Sequence, residues 1–218
     1  MKKILAIVLA ALMLVAFVGC GNTIEETEAP ETEAPETNAP ETEAPETEAP
    51  EASESDANPA LDIVNNIINS FTDAEKEDIY LSVAGGYGEN LNWDAPGSHP
   101  INDEESRASA IAFFNISEEI LDMIDGEIGM AMNPMRIQNL MFGCFRVADT
   151  VNVTECAELV KTTVLGSRWT CGFPEKYVLI IVDDYILTLY GASIQLDAIA
   201  AKTQTLYPSA VVFADELI

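Results

Sequence analysis

A five-residue motif, Glu-Thr-Glu-Ala-Pro, is repeated five times over residues 26–50, with Asn38 replacing one Glu. The repeats contain no large apolar residue, so this segment cannot bury a hydrophobic core. Each Pro restricts the Ala before it to extended geometry, and the Glu side chains repel one another. The sequence therefore predicts a disordered, extended acidic tether over residues 21–57. A folded domain has to be built from the residues that follow, which are numerous enough for one hydrophobic core.

The first twenty residues have the pattern of an export signal. Lys2 and Lys3 are followed by a run of sixteen residues, 4–19, that are apolar or small and carry no charge. This run is shorter than the roughly 20 residues that a permanent membrane span needs, and it suits a signal peptide. It ends at Gly19-Cys20, which resembles the lipobox of bacterial lipoproteins, although Phe17 stands where Leu is usual.

The resemblance to the lipobox implies that residues 1–20 are a lipoprotein signal peptide and that Cys20 is the site of lipidation. Cys20 would carry fatty acyl chains such as palmitate, and these would hold the protein at the extracellular face of the cytoplasmic membrane. Two or more acyl chains give stable anchoring, because each buried methylene contributes about 0.8 kcal/mol. The alternative is an ordinary secretory signal in which Cys20 is incidental.

The chain is strongly acidic, with a formal net charge of −27. Residues 57–218 alone hold 24 acidic and 8 basic residues, so the domain is acidic even without the tether. Such a surface repels nucleic acid and anionic lipid, which argues against both as partners. Solubility is the simplest explanation of this charge, and attraction of cations or of a basic protein is the alternative.

Residues 58–135 are predicted to form a mainly helical extension that contains one long loop. Apolar residues at helical spacing indicate a first helix, and a capping box of Thr72 and Glu75 starts a second. Gly, Pro and Asn are frequent over residues 87–102, which favours an irregular loop. The helices are predicted at residues 61–71, 73–83, 106–114 and 117–126.

Residues 136–218 are predicted to form a module that combines strands and helices. The segment 177–182 is apolar throughout, which favours a strand in the centre of a sheet. Only Asp183 and Asp184 separate it from the next apolar run, so the two runs are expected to form a hairpin. Strands are predicted at residues 136–147, 177–182, 185–191 and 210–213, and helices at residues 152–165 and 194–206.

This order of elements, β-α-β-β-α-β, is the ferredoxin-like order, in which a sheet carries two helices on one face. The predicted fold class is therefore α+β, with a ferredoxin-like βαββαβ module and an N-terminal helical extension.

Three short segments of the domain have a familiar pattern when they are taken with the anchor and the acidic, Thr- and Pro-rich tether. They are Ile116-Ser117-Glu118-Glu119, Phe145-Arg146-Val147-Ala148 and Tyr177-Val178-Leu179-Ile180-Ile181-Val182. Together these features resemble a family of uncharacterised lipoproteins of Gram-positive anaerobes, over about 100 residues. The domain of that family has an unknown function, so the resemblance implies no catalytic residue and no cofactor.

Four cysteines are present, and three remain once Cys20 is assigned to the lipid. Because three is odd, Cys144, Cys156 and Cys171 can form at most one disulfide. Their wide spacing is not that of a zinc site, which needs closely paired ligands. We expect buried thiols, or a single bridge that involves Cys171.

Residues suited to catalysis are few. The only histidine, His99, lies between Ser98 and Pro100 in the predicted loop, and we expect it to be exposed rather than catalytic. The glycines of Gly85-Gly86-Tyr87-Gly88 follow a predicted helix and lack the Lys of a phosphate-binding loop. The acidic clusters lack the spacing of a calcium-binding loop. The sequence therefore predicts no catalytic residue, no metal site and no cofactor.

Trp93 and Trp169 are the candidate ligand-binding residues. Both lie in loop contexts with polar neighbours, where an aromatic ring can stack on a sugar or anchor a protein partner. The alternative is that they cover the edge of the core. The predicted function is non-enzymatic binding of a protein or a glycan at the cell surface. The alternative function is that of a carboxylate-dependent surface hydrolase acting on cell-wall or dietary glycans, since paired carboxylates need not be close in sequence.

Overall fold

The computed structural model describes residues 58–133, 139–169 and 173–218. These residues lie within one compact unit, Glu51–Ile218. The predictions for the signal peptide, for Cys20, for the tether and for Cys171 lie outside the described residues. No helix in the described ranges is long and apolar enough to cross a membrane.

Six helices and six strands are described. The helices are α1 (Pro59–Asn69), α2 (Asp73–Asp78), α3 (Glu104–Phe114), α4 (Glu118–Leu121), α5 (Val153–Leu165) and α6 (Ser193–Leu206). The strands are β1 (Gly97–His99), β2 (Ile124–Asn133), β3 (Leu140–Val147), β4 (Lys176–Val182), β5 (Tyr185–Gly191) and β6 (Val211–Leu217). A short 3-10 turn, Gly88–Asn90, lies in the long loop before β1.

All six strands join one antiparallel sheet, in the order β1-β2-β3-β5-β4-β6. The hairpin between β4 and β5 is confirmed, since Val182 pairs with Tyr185 across the two-residue turn. Asp183 has a φ of 54° in that turn, a left-handed conformation that Asp tolerates better than most residues. The α+β class is therefore confirmed.

The ferredoxin-like topology predicted from the order of elements is not the one that the structure has. In that fold the last strand returns to lie beside the first strand of the module, whereas here β6 lies beside β4. The two crossover helices also lie on opposite faces of the sheet, because α5 packs into one hydrophobic cluster and α6 into the other.

The handedness of crossovers explains this difference. The connections from β3 to β4 and from β5 to β6 each skip one strand and step in the same direction along the sheet. Strand β5 runs antiparallel to β3, and crossovers are almost always right-handed. When two right-handed crossovers start from antiparallel strands and move in the same direction along the sheet, their helices must lie on opposite faces of that sheet.

The segment predicted as a helical extension contributes two strands of the sheet. Helix α4 ends at Leu121, and β2 begins at Ile124 and forms a hairpin with β3. Helix α1 packs closely on β2, since a Cβ on Gly129 would lie 2.6 Å from the backbone of Ala60. Residues 58–133 are thus an integral part of the domain core.

The sheet separates two hydrophobic clusters. The first face carries α3, α4 and α5, and its core includes Phe114, Val160 and Tyr177. The second face carries α1 and α6, and its core includes Ile67 and Leu196. Because side chains alternate along a strand, neighbouring residues of β4 enter different clusters, which explains why this strand is apolar throughout.

Candidate functional site

The structure places the two predicted binding residues on opposite sides of the sheet. Trp169 follows α5 and packs against the first-face core, with its ring 4.7 Å from the ring of Tyr190. Trp93 lies in the loop before β1, where it is 62% exposed. The structure therefore does not bring them together. Trp169 has the position of a core-edge residue, and Trp93 alone remains as an exposed aromatic candidate.

The loop that carries Trp93 is closed at its base by backbone contacts. Gly85 and Asn92 exchange two N–H···O hydrogen bonds of 2.8 Å each. Gly85 also lies against Gly97, so closely that a Cβ on Gly85 would be 2.2 Å from the Gly97 nitrogen. Ala84 and Met132 exchange a further pair of 2.8 Å bonds, which fix the loop to β2. Trp93 is thus presented on a backbone that the sheet holds in place.

Trp93 forms one wall of a hollow of about 270 Å³ between its own loop and α1. Ile68 and Leu81 supply an apolar floor from the second-face core. The residues lining the hollow are Asn65, Ile68, Asn69, Lys76, Leu81, Ser82, Val83, Trp93, Asp94, Ala95 and Pro96.

Five polar side chains that line this hollow have no partner within the described part of the domain. Those of Asn65, Asn69, Lys76, Ser82 and Asp94 make no hydrogen bond or ion pair with other residues in the described part of the chain. Amides supply both donors and acceptors, a carboxylate accepts, and an ammonium group donates. These groups surround an exposed indole ring, so the hollow combines a flat apolar face with free hydrogen-bonding groups.

Several other basic side chains among the described residues have carboxylate partners. Arg146 contacts Asp125, Asp149 and Asp184 at 2.5–2.7 Å, and Arg107 contacts Glu118 and Asp122 at 2.5–2.7 Å. Several acidic residues that appear as clusters in the sequence are therefore ion-paired in the fold. In contrast to these arginines, Lys76 has no carboxylate partner among the described residues and remains free in the hollow.

The prediction that His99 is exposed is wrong. His99 ends β1 and is fully buried, with its ring 4.6 Å from that of Tyr87 and 5.9 Å from those of Phe113 and Phe114. Its Nδ1 lies 2.8 Å from the carbonyl oxygen of Pro100 and donates to it, while Nε2 has no partner. Burial lowers the pKa of His99 below its usual value. The sequence gives no periodic signal for this burial because β1 is only three residues long.

His99 and Ser98 do not form a catalytic pair. They are adjacent on β1, so their side chains point to opposite sides of the strand. The Ser98 hydroxyl instead donates a hydrogen bond to the Glu127 carboxylate, and it accepts a hydrogen bond of 2.8 Å from the Asn58 side-chain amide. These contacts fix the start of α1 against β1 and β2.

The described cysteines are buried and free. Cys144 lies in the second-face core and Cys156 in the first-face core, so the sheet separates them. Burial raises the pKa of both thiols, to about 11 for Cys156, so they are protonated at neutral pH. No group of three or more His, Cys, Asp or Glu residues suited to a metal ion occurs within the described ranges.

Comparison with known proteins finds no matching family, no matching curated protein and no matching solved structure.

Proposed function

We propose that this protein is a surface lipoprotein, anchored through lipid on Cys20, whose acidic domain binds a glycan in the Trp93 hollow without catalysing a reaction. The tether of residues 21–57 would carry the domain away from the extracellular face of the cytoplasmic membrane. This proposal also includes membership of the lipoprotein family of Gram-positive anaerobes that the sequence resembles.

The observation that carries the binding proposal is an exposed indole ring beside five unpaired polar side chains. A sugar ring offers a C–H face, which can stack on an indole, and hydroxyl groups at its edge, which need both donors and acceptors. The volume of about 270 Å³ is near the lower limit for ligand pockets, which suits one sugar unit of a longer glycan.

The rigidity of the Trp93 loop supports the same proposal. Backbone bonds between Gly85 and Asn92 and between Ala84 and Met132 hold the loop in place before a ligand arrives. A binding surface that is already ordered loses less conformational entropy on binding, which strengthens the affinity for a small ligand.

A glycan array tests this proposal. We expect the chain from Gly21 to Ile218 to bind a subset of cell-wall or dietary glycans, and Trp93→Ala to weaken binding by about 1 kcal/mol or more, roughly fivefold. Phe173→Ala is the matched control, because Phe173 is a similarly exposed aromatic residue outside the hollow. Equal binding by Trp93→Ala and the unchanged chain would contradict the proposal. Release of sugar products would instead support the carboxylate-dependent hydrolase.

A further inference from the structure

A second hollow, of about 460 Å³, lies between α2 and α6 on the second face of the sheet. We refer to it as the α2–α6 groove. The residues that line it are Phe71, Glu75, Asp78, Ile79, Ala198, Ala201, Lys202 and Thr205. Four of these eight residues are polar, but apolar atoms make up most of the surface that lines the groove, and the groove shares no residue with the Trp93 hollow.

Helix α6 presents small residues along the groove. Ala198, Ala201 and Thr205 follow one another at helical spacing, and Ile194 begins the same stripe, with 54% of its surface exposed. The opposite side of α6, which includes Leu196 and Ile199, is buried in the second-face core. From Ile194 to Thr205 the stripe measures roughly 16 Å at 1.5 Å per residue, which is three helical turns.

The basic side chain in the groove is already neutralised. Lys202 Nζ lies 2.9 Å from a Glu75 carboxylate oxygen and 3.2 Å from the Ser70 carbonyl oxygen. It also lies 5.1 Å from the centre of the Phe71 ring. Because the charges of Lys202 and Glu75 neutralise each other, a ligand at the rim meets only the carboxylates of α2 other than Glu75.

Those remaining carboxylates belong to α2. The helix has four acidic residues and one basic residue, and the basic one, Lys76, lines the Trp93 hollow instead. Asp78 lines the groove, and Asp73 and Glu77 are exposed on the same short helix. The groove therefore has an apolar floor and, on the α2 side, the carboxylate of Asp78 in its lining, with Asp73 and Glu77 on the same helix outside the lining. We refer to these three carboxylates as the α2 wall.

We propose that the α2–α6 groove binds a cationic amphipathic helix from another protein or peptide. Apolar side chains of that helix would enter the groove over Ala198 and Ala201, and its Lys or Arg residues would face Asp78 and the other carboxylates of α2. Small residues on α6 allow close approach, and laying an amphipathic helix in an apolar groove is a common mode of peptide recognition.

Net charge distinguishes the possible occupants of the groove, which are a second copy of the chain, anionic lipid and a cationic partner. A second copy of this chain carries the same net charge of −27, so its approach is opposed by electrostatic repulsion. Anionic lipid is repelled for the same reason. A cationic partner is attracted both by the α2 wall and by the field of the whole acidic protein, which raises its rate of association.

The test uses two peptides of identical composition. One is a Leu/Lys peptide of about 18 residues with its Leu residues on one helical face, and the other is its scrambled sequence. We expect the chain from Gly21 to Ile218 to bind the amphipathic peptide at least tenfold more tightly than the scrambled one, with an affinity that falls as salt is added. Equal affinity for both would overturn the proposal, since the acidic tether attracts both alike.

Substitutions inside the groove, compared with substitutions elsewhere on the domain, show where the peptide binds. Ala201→Trp fills the groove and should weaken binding of the amphipathic peptide about tenfold, whereas Ala112→Trp, at an exposed position of α3 on the other face, should leave it unchanged. Asp78→Asn should weaken binding about twofold to threefold, and Asp62→Asn, near the distant end of α1, should not.

Further outcomes would overturn the proposal. Unchanged binding by Ala201→Trp would place the peptide elsewhere, provided that its circular dichroism and melting temperature match those of the unchanged chain. Preferential binding of a Leu/Glu peptide would contradict the role of the α2 carboxylates. Self-association in a sedimentation experiment that Ala201→Trp abolishes would assign the groove to a second copy of the chain.

An NMR measurement supports the proposed site independently. We expect chemical-shift changes at Lys202 when the Leu/Lys peptide is added.

Discussion

The imidazole ring of His99 packs against the phenol ring of Tyr87 in a tilted arrangement, with a centroid distance of 4.6 Å and an interplanar angle of 31°. The Tyr87 hydroxyl accepts a hydrogen bond of 3.0 Å from Ser109 and lies 3.2 Å from the carboxylate of Glu105. This pair of rings therefore joins the base of the Trp93 loop to β1 and α3. Its integrity depends on a neutral His99, because Nε2 is buried without an acceptor for a second proton.

The first prediction concerns this histidine. Its pKa in the folded chain is lowered, mainly by burial, from the usual value of 6.5. A lowered histidine pKa means that the unfolded chain takes up the proton first, so stability is full above about pH 6.5 and falls as the pH drops through 6.5 toward the folded pKa. The slope is at most about 1.4 kcal/mol per pH unit.

Denaturant unfolding at several pH values between 7.5 and 5 measures this slope. The pH range stops at 5 because most carboxylates titrate below it. His99→Phe keeps an aromatic ring beside Tyr87 and cannot be protonated, so its stability should be almost independent of pH over the same range. The same slope in both proteins would show that another group is responsible.

Local signals along the chain predict the local structure correctly at two positions. The capping box of Thr72 and Glu75 forms as expected, with the Thr72 nitrogen donating to the Glu75 carboxylate at 2.8 Å and the Glu75 nitrogen to the Thr72 hydroxyl at 3.3 Å. The hairpin turn at Asp183 and Asp184 also forms as expected. In each case the residues that decide the structure are within a few positions of one another.

Features that depend on distant residues have no local signal along the chain. Strand β2 contains Gly126 and Gly129, which weaken strand propensity, and it packs against α1, whose residues lie far earlier in the sequence. The Trp93 hollow and the α2–α6 groove combine side chains that are remote in sequence. Periodicity along the chain cannot indicate which of these surfaces will meet.

The second prediction tests the packing of α1 on the sheet. Gly129→Ala places a Cβ 2.6 Å from the backbone of Ala60, so either α1 or β2 has to move. We expect a loss of about 1–3 kcal/mol in the free energy of unfolding, the usual cost of overpacking. Gly166→Ala at the end of α5 is the control, because Gly166 has an ordinary φ of −79° and a Cβ there would lie 3.1 Å from the Thr162 carbonyl oxygen. A shift of a few tenths of an ångström relieves that contact, so Gly166→Ala should cost clearly less than Gly129→Ala. Equal stability of the two variants would contradict the close packing described for α1.

The third prediction concerns the ion pair of Glu75 and Lys202. The pKa of Glu75 is lowered from 4.5 to about 2, chiefly by its hydrogen bond with Lys202 and also by its contacts with Thr72. A carboxylate with a lowered pKa contributes stability above about pH 4.5 that is lost as the pH falls toward 2. Lys202→Met should raise the pKa of Glu75, although not fully to 4.5 because the capping box remains. An NMR titration of the Glu75 carboxyl measures this, and an unchanged pKa would show that Lys202 does not control it.

The fourth prediction concerns the anchor. The Gly19-Cys20 junction after an uncharged run over residues 4–19 favours lipid attachment to Cys20. Cys20→Ser should leave unprocessed precursor that no longer incorporates a labelled fatty acid, while Cys144→Ser should incorporate it normally because Cys144 is buried in the domain. Absence of label in the unchanged protein would exclude lipidation and leave an ordinary secretory signal as the explanation.

The fifth prediction separates the two tryptophans. Trp93 is exposed at the edge of its hollow, so Trp93→Ala should change the free energy of unfolding by no more than about 0.5 kcal/mol. Trp169 packs on Tyr190 and on the first-face core, so Trp169→Ala should destabilise the domain by up to about 3 kcal/mol. Thermal melts of both variants measure the difference. A large fall in melting temperature for Trp93→Ala would mean that its ring serves the fold rather than a ligand, and the glycan site proposed here would then lose the residue on which it depends.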